Sequence, residues 1–206
     1  MAKGKGQIEI KIGGIATTTI RIGLVGTSPL ISHRFSDRAQ DKILQKQMKT
    51  ANKAMGRETK NPEQDYKESL YVLPDGRYGF PLSGFKNAAV DACTFMEGLK
   101  KTVARGAFHI IDENNCGLVV IDGRPTMRKD TVRLGGPGSP ADIRYRGMFP
   151  TGWKTTLLIK FNTNAISPDQ LTQLFNAAGF GVGVGDWRPQ KDGSYGMFEV
   201  QGNGKK

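Results

Sequence analysis

Cysteine is scarce in this chain, and no run of apolar residues is long. The two cysteines, Cys93 and Cys116, stand in no CxxC or other metal-ligand spacing, which argues against a disulfide framework or a thiolate metal centre. No apolar run approaches the length of a bilayer-spanning helix, and the N-terminal stretch MAKGKGQIEIKIGG lacks the apolar core of a signal peptide. We therefore expect a cytoplasmic protein with free thiols, no cofactor, no metal and no membrane partner.

Acidic residues are also few relative to basic ones. The chain has 30 Lys and Arg against 19 Asp and Glu, a formal net charge of +11, and its sequence pI is near 9.7. This balance points to an anionic polymer as the partner. Ribosomal proteins, nucleic-acid enzymes and some capsid proteins share it, so the charge indicates a class of partner and no single function.

Periodic segments follow one another along the chain and predict a single domain over residues 1–206. Alternation over 17–26 predicts a strand, and 30–35 continues it as an extended or turning segment. Further strands are predicted at 108–112, 118–122, 153–161 and 195–200, and a hairpin with a Pro-Asp-Gly turn at 70–80. A helix capped by Ser83 presents an apolar face to the core, formed by Phe85, Ala88, Ala89, Ala92, Cys93 and Met96.

Two basic segments interrupt this pattern. In the first segment, 36–68, a helix with a narrow apolar stripe is predicted from its N-cap Ser36 to Met55. Residues 56–66 are predicted to form a loop. This segment is either a solvated surface helix or a basic arm inserted into the domain. Residues 123–150 form two extended pieces around a flexible GGPGSPAD tip and resemble a thumb-like hairpin with exposed side chains. Their basic residues are Arg124, Arg128, Lys129, Arg133, Arg144 and Arg146, against only Asp130 and Asp142.

The stretch from Ala178 to Val200 is the most distinctive in the chain. A helix before it is predicted from Ser167 as N-cap and Gln170 three residues later, with Gly179 as the C′ glycine. The order helix, glycine loop, strand is the reverse of dinucleotide and P-loop sites, so we reject a nucleotide-cofactor loop.

The alternating glycines of this loop have two interpretations. Gly181, Gly183 and Gly185 let a backbone or a phosphate chain approach closely, while Arg188 and Lys191 supply charge. Trp187 supplies a stacking face. The alternative is a glycine-rich packing loop with a core tryptophan.

The element order predicts an α+β fold with a βαββαβ core. This is the ferredoxin-like plan that RRM domains also use, here with a helical insertion after the first strand and a basic thumb-like hairpin. The predicted strands lack the aromatic pattern with which RRM domains stack bases, so a plain RRM is unsupported.

The C-terminal segment resembles the glycine-rich loop of RAMP proteins. The residues that carry the likeness are the glycines at 179, 181, 183 and 185, then Arg188 and the strand that contains Gly196. The chain is similar, more narrowly, to the backbone subunits that coat guide RNA in CRISPR effector complexes and to their phage-encoded relatives. Those proteins have a modified RRM fold, and 36–68 and 123–150 fall where they carry an insertion and a thumb.

The resemblance implies a head-to-tail homo-oligomeric filament on single-stranded nucleic acid, gripped by the thumb and the glycine loop. It also draws attention to His33 and Asp37, because some relatives cleave RNA with residues near these places. Neither has a second supporting group in the sequence, so we assign no catalytic residue. The candidate nucleic-acid-binding residues are Arg34, Lys86, Arg124, Arg128, Lys129, Arg133, Arg144, Arg146, Gly181, Gly183, Gly185, Trp187, Arg188 and Lys191.

Three functions remain open at this point. The first is a non-enzymatic binder of single-stranded RNA or DNA that oligomerises along the strand. The second is a metal-independent RNase that uses His33. The third is a structural phage protein whose basic arms face packaged genome.

Overall fold

A computed structural model describes residues 14–48, 60–133 and 138–202. Its strands in chain order are β1 (Thr17–Gly26), β2 (Leu30–Ser32), β3 (Tyr71–Val72), β4 (Tyr78–Pro81), β5 (Phe108–Ile110), β6 (Leu118–Val120), β7 (Thr126–Arg133), β8 (Ala141–Phe149), β9 (Lys154–Asn162) and β10 (Phe198–Val200). Its helices are α1 (Asp37–Gln47), α2 (Pro62–Glu68), α3 (Leu82–Ala92), α4 (Lys101–Ala107) and α5 (Pro168–Gly181). The fold is therefore α+β, as the sequence predicts.

The main sheet has the strand order β10-β1-β9-β5, and every pair in it is antiparallel. Period-two alternation gives this sheet one apolar face, with Leu24 of β1 and Leu157 of β9 fully buried. Helices α3 and α5 contact each other, and Phe85 of α3 and Phe175 of α5 are fully buried in the same core cluster. The opposite face carries exposed polar side chains. The helices thus cover one side of the sheet only.

Two three-stranded sheets flank the main one. Their orders are β2-β8-β7 and β3-β4-β6. The predicted hairpin at 70–80 is confirmed: the Leu73 N–H donates to the Arg77 carbonyl at 2.8 Å, and Gly76 closes the turn at a φ of +85°. The predicted strands at 108–112 and 118–122 also exist, but they belong to different sheets, because β5 pairs with β9 and β6 pairs with β4.

Several helix predictions need correction. The segment 56–66 is not all loop, because Pro62 begins α2 and the Asn61 side chain caps it by accepting from the Gln64 N–H at 3.2 Å. Helix α4 was not predicted. Helix α3 begins at Leu82, one residue before Ser83, and no side chain of the described residues caps it.

The Ser36 cap is confirmed, since its hydroxyl accepts from the Ala39 N–H at 3.3 Å. Helix α1 keeps Ile43 and Leu44 about half exposed, as a surface helix does. The part of the predicted helix from 49 to 55 lies outside the described residues. No helix in the described part of the chain is both long and apolar enough to cross a membrane.

Candidate nucleic-acid interface

Five of the six basic residues between 123 and 150 are carried by an antiparallel hairpin of β7 and β8, and the sixth, Arg124, precedes β7. Arg128 lies opposite Arg146 in the register, and Asp130 lies opposite Arg144. Arg144 is half-buried, and no ion pair joins it to any described residue. The exposed cations of this region are Arg124, Lys129 and Arg133. The hairpin therefore combines free surface cations with others that the fold uses internally.

Arg146 is held inside the protein. Its side chain is 3% exposed, Nη2 donates to Asp130 at 2.8 Å, and Nη1 donates to Asp186. Arg128 donates to the same Asp130 from Nε at 2.8 Å and stacks 4.6 Å from the Tyr195 ring centroid. The prediction that Arg128 and Arg146 are exposed is therefore wrong, because acidic partners and an aromatic ring cover them. Both side chains hold the hairpin against the segment around residues 186–195.

Asp186 joins three parts of the chain. Besides Arg146, its carboxylate accepts a hydrogen bond from His33 Nδ1 at 2.9 Å, just after β2. Burial by itself raises the pKa of Asp186, but the hydrogen bonds and charges of His33 and Arg146 outweigh burial and leave the pKa below its ordinary value. The group is thus a carboxylate at neutral pH that ties the end of β2 and strand β8 to the C-terminal loop.

Arg34 and Asp37 pair with each other beside this network. Arg34 Nη2 donates to Asp37 Oδ1 at 2.6 Å, and Asp37 is exposed in the first turn of α1. Arg38 reaches Asp65 at 2.9 Å and Glu68 at 3.1 Å on α2. Arg34, Arg38, Asp65 and Glu68 line a cleft of about 240 Å³, and Arg144 and Arg146 also line it.

Helix α5 runs further than the sequence predicts. Its capping box is confirmed: Ser167 Oγ accepts from the Gln170 N–H at 3.2 Å, and Gln170 Oε1 accepts from the Ser167 N–H at 2.9 Å. The prediction of Gly179 as the C′ glycine is wrong, because the helix continues to Gly181 and Gly183 is the first glycine with a positive φ, +68°.

The three alternating glycines face this chain's own atoms. Gly181 ends the helix, and a Cβ there would lie 2.9 Å from the Phe95 ring. A Cβ on Gly183 would meet Pro189 Cδ at 2.7 Å, and one on Gly185, where φ is +79°, would meet the Ile31 carbonyl oxygen at 2.5 Å. These glycines therefore allow the loop to pack internally. The packing-loop interpretation accounts for them without a phosphate chain.

Trp187 is not a core tryptophan. Half of its surface is exposed, and its φ of +58° is unusual for an aromatic residue. Arg188 next to it donates from Nη1 to the Gly185 carbonyl at 3.2 Å and from Nη2 to the Gln190 side chain at 3.1 Å. Lys191 is exposed, and no ion pair joins it to any described residue. The strained backbone thus holds an indole ring in solvent beside two cations.

A groove of about 620 Å³ separates the hairpin from this loop. It is lined by Thr131, Val132, Arg133, Arg144, Arg146, Asp186, Trp187, Arg188 and Lys191. Six of these residues were predicted from the sequence as nucleic-acid contacts, although the chain separates Arg133 from Lys191 by more than fifty positions. Asp186 is the acidic group among the lining residues. We call this feature the basic groove.

Lys86 does not belong to this surface. Its ammonium group donates to the carbonyl oxygens of Phe108 and Ala104 and lies 3.5 Å from the Phe108 ring centroid. Burial lowers its pKa to about 8. The side chain therefore holds the end of α4 against α3. Arg34 and Arg124 also lie outside the lining of the groove.

The residues that sequence reasoning missed are acidic. Asp130 and Asp186 decide which arginines are free, yet in the sequence they only reduce the positive charge of their segments. An acidic residue kept inside a strongly basic stretch is a signal that an arginine is paired internally. No group of three or more His, Cys, Asp or Glu side chains that could hold a metal ion occurs within 14–48, 60–133 and 138–202.

Comparison with known proteins gives likenesses in structure and none in sequence. No family model matches the chain, and no curated protein matches it. The chain is similar in structure to Cmr6 from Pyrococcus furiosus, with 10% sequence identity over 91% of this chain and 100% of that one, at a TM-score of 0.46. A likeness of this size does not assign the chain to a family.

Proposed function

We propose that this protein binds a single strand of nucleic acid in the basic groove and does not cleave it. The carrying observation is that Arg133, Arg144, Arg188 and Lys191 line one open groove together with a half-exposed tryptophan. None of these four cations forms an ion pair with a carboxylate among the described residues, so none of their charges is neutralised internally; Arg188 also donates to Gly185 and Gln190, which leaves part of its five-donor guanidinium for a phosphate. An indole ring beside a charged channel is the combination with which proteins hold unpaired bases and their backbone.

Duplex nucleic acid fits this site less well. Trp187 lines the groove, and a base can stack on the indole ring only when that base is not stacked within a duplex. Among the described residues, the open face of the main sheet offers no exposed tryptophan, tyrosine or phenylalanine. Its exposed positions carry Thr19, Arg21, His109, Lys154, Thr156, Lys160 and Glu199. The groove, rather than the sheet, is therefore the proposed binding surface.

Salt dependence tests the proposal directly. If the four groove cations each neutralise one phosphate, log K against log salt should have a slope of roughly −3 for a single strand. Lys191→Glu should weaken binding and make the slope less steep by about one. Lys160→Glu changes the net charge equally on the far sheet face and should have little effect near 0.15 M salt, where the screening length is about 8 Å. Equal losses from both variants, or a flat salt response, would contradict a localised groove.

The finer fold assignment is part of the same proposal. We propose a ferredoxin-like βαββαβ core of the RAMP type, built from β1, α3, β5, β9, α5 and β10. The order β10-β1-β9-β5 and the antiparallel pairing support it, because this is the arrangement that two interleaved βαβ units produce.

The assembly of further copies along the strand is proposed from the resemblance alone. Electron microscopy with and without an oligonucleotide tests it: filaments should form only when the strand is present.

Cleavage of RNA with His33 as the general base is the second candidate function. One observation favours it: Nδ1 of His33 is bonded to the Asp186 carboxylate, and Nε2 has no partner among the described residues. A histidine oriented by a carboxylate in this way can act as a general base. Labelled RNA incubated without added metal should then be cut by the parent and left intact by His33→Ala. Intact RNA in both samples supports binding without cleavage.

A further inference from the structure

A second cleft, of about 290 Å³, adjoins the basic groove. Asp186 and Arg188 line both spaces. The cleft lies between α3 and the loop that follows α5, and its remaining polar lining includes Tyr71, Ser83, Asn87 and Asp91. Its volume is at the lower end of the range for small-molecule sites, so it has room for one planar ring system and no extended chain.

Three polar groups in this cleft are unused by the fold. Among the described residues, the Asn87 amide, the Ser83 hydroxyl and the Tyr71 hydroxyl have no hydrogen-bond partner. Tyr71 also presents an aromatic ring, packed edge-to-face on Phe80 at 5.9 Å between ring centroids. Burial raises the pKa of Tyr71, so the phenol keeps its proton. Free amide and hydroxyl groups around an aromatic ring are what a single unstacked base requires.

We propose that this cleft takes one base of the bound strand, and that it prefers adenine. The proposal rests on the proposed function, because the strand must already lie in the groove that Arg188 borders. An asparagine amide can pair with the N6 amino group and the N7 of adenine at once. The other bases of the strand stay outside the cleft.

Two carboxylates in the cleft favour a base with an amino group. The Asp91 carboxylate accepts from Lys101 at 2.9 Å and from the Gln190 side chain at 2.8 Å, and the hydrogen bond from Lys101 is the main cause of its lowered pKa. Asp186 is ionised as well. Each carboxylate has about four acceptor positions, so capacity remains for a further donor. The exocyclic amine of adenine supplies one, whereas the carbonyl oxygens of uracil and thymine are acceptors whose partial negative charge would face the carboxylates.

Fluorescence anisotropy with labelled oligonucleotides tests the cleft. The probes are strands of about 12 nucleotides, oligoadenylate and oligouridylate or oligothymidylate, with an abasic sugar–phosphate chain of equal length, in ribo and deoxy forms. At equal salt, the parent should bind oligoadenylate about tenfold more tightly than the uracil or thymine strand. Asn87→Ala should remove this preference while affinity for the abasic chain is unchanged. Because Asn87 is exposed on a helix, where alanine is favourable, this variant should fold.

Asn164→Ala is the matched control. Asn164 has an exposed side chain in the turn before α5 and does not line the cleft, so its variant should keep the preference. Equal binding of all three chains by the parent, or an unchanged preference in Asn87→Ala, overturns the base cleft and leaves the groove in place. Failure to bind any of the chains overturns the proposed function and the cleft together.

Discussion

Replacing Arg146 by alanine should destabilise the protein far more than the same change at Arg144. The two arginines lie two residues apart on β8, but Arg146 is 3% exposed and bonded to Asp130 and Asp186, whereas Arg144 is half-buried and has no carboxylate partner among the described residues. Loss of Arg146 removes the positive charge that both carboxylates share and leaves Asp130 with Arg128 and Asp186 with His33. The comparison thus isolates the internal network from the general loss of a positive charge.

The magnitude follows from how exposed the partners are. Breaking a fully buried ion pair by removing one member costs about 3–5 kcal/mol. Asp130 is 11% exposed and Asp186 is 34% exposed, so water recovers part of this for Asp186. We expect about 2–3 kcal/mol for Arg146→Ala, within the usual range for loss of a buried charge partner, and under ~0.5 kcal/mol for Arg144→Ala. For a chain of this length, the loss expected for Arg146→Ala corresponds to a fall in Tm of roughly 5–10 °C.

Urea denaturation measures both variants. The midpoint should fall clearly for Arg146→Ala with an unchanged slope, which shows a change of stability rather than of compactness. Adding Asp130→Asn and Asp186→Asn to the Arg146 variant should restore part of the loss, because the two groups that have lost this positive charge are then neutral. Equal midpoints for the two single variants would refute the reasoning, and Arg146 would then be an ordinary surface cation.

Three other measurements examine the loop. Gly185→Ala should lower the free energy of unfolding by about 1–3 kcal/mol, because its Cβ would meet the Ile31 carbonyl at a positive φ. Gly106→Ala, in open space on α4, should instead raise the free energy of unfolding by ~0.5–1 kcal/mol, and urea midpoints that move together would contradict this. The stability lost in Asp186→Asn should be constant at neutral pH and shrink only as the pH falls below the unfolded pKa of about 3.9, and it should disappear once the folded carboxyl, whose pKa is lower still, is protonated; a difference independent of pH refutes it. Trp187→Gly should relieve the backbone strain at its φ of +58° and leave the protein at least as stable. The same change should weaken binding of a single nucleic-acid strand by about 1–3 kcal/mol, because the stacking face is lost. Unchanged affinity would show that the indole is not part of the binding site.

The sequence by itself determined the elements whose signals are local. Strand β1 lies at 17–26 as its alternation predicts, and the α5 capping box depends only on Ser167 and Gln170, three positions apart. The β7–β8 hairpin likewise lies where the two extended basic pieces predict it. Such features depend on side-chain period and on hydrogen bonds within one turn, so neighbouring residues suffice to specify them.

Only the tertiary structure decided which cations are free. Arg146 and Arg144 are equivalent in sequence, and what distinguishes them is Asp186, forty positions away, together with Asp130 on the opposite strand. The role of the glycines at 183 and 185 was also decided by the tertiary structure. Their spacing in the sequence allows either an open phosphate cradle or a packed loop. The positions of Pro189 and of the Ile31 carbonyl show that the loop is packed. Burial, ion pairing and steric exclusion depend on what lies across the fold, and no local pattern contains that information.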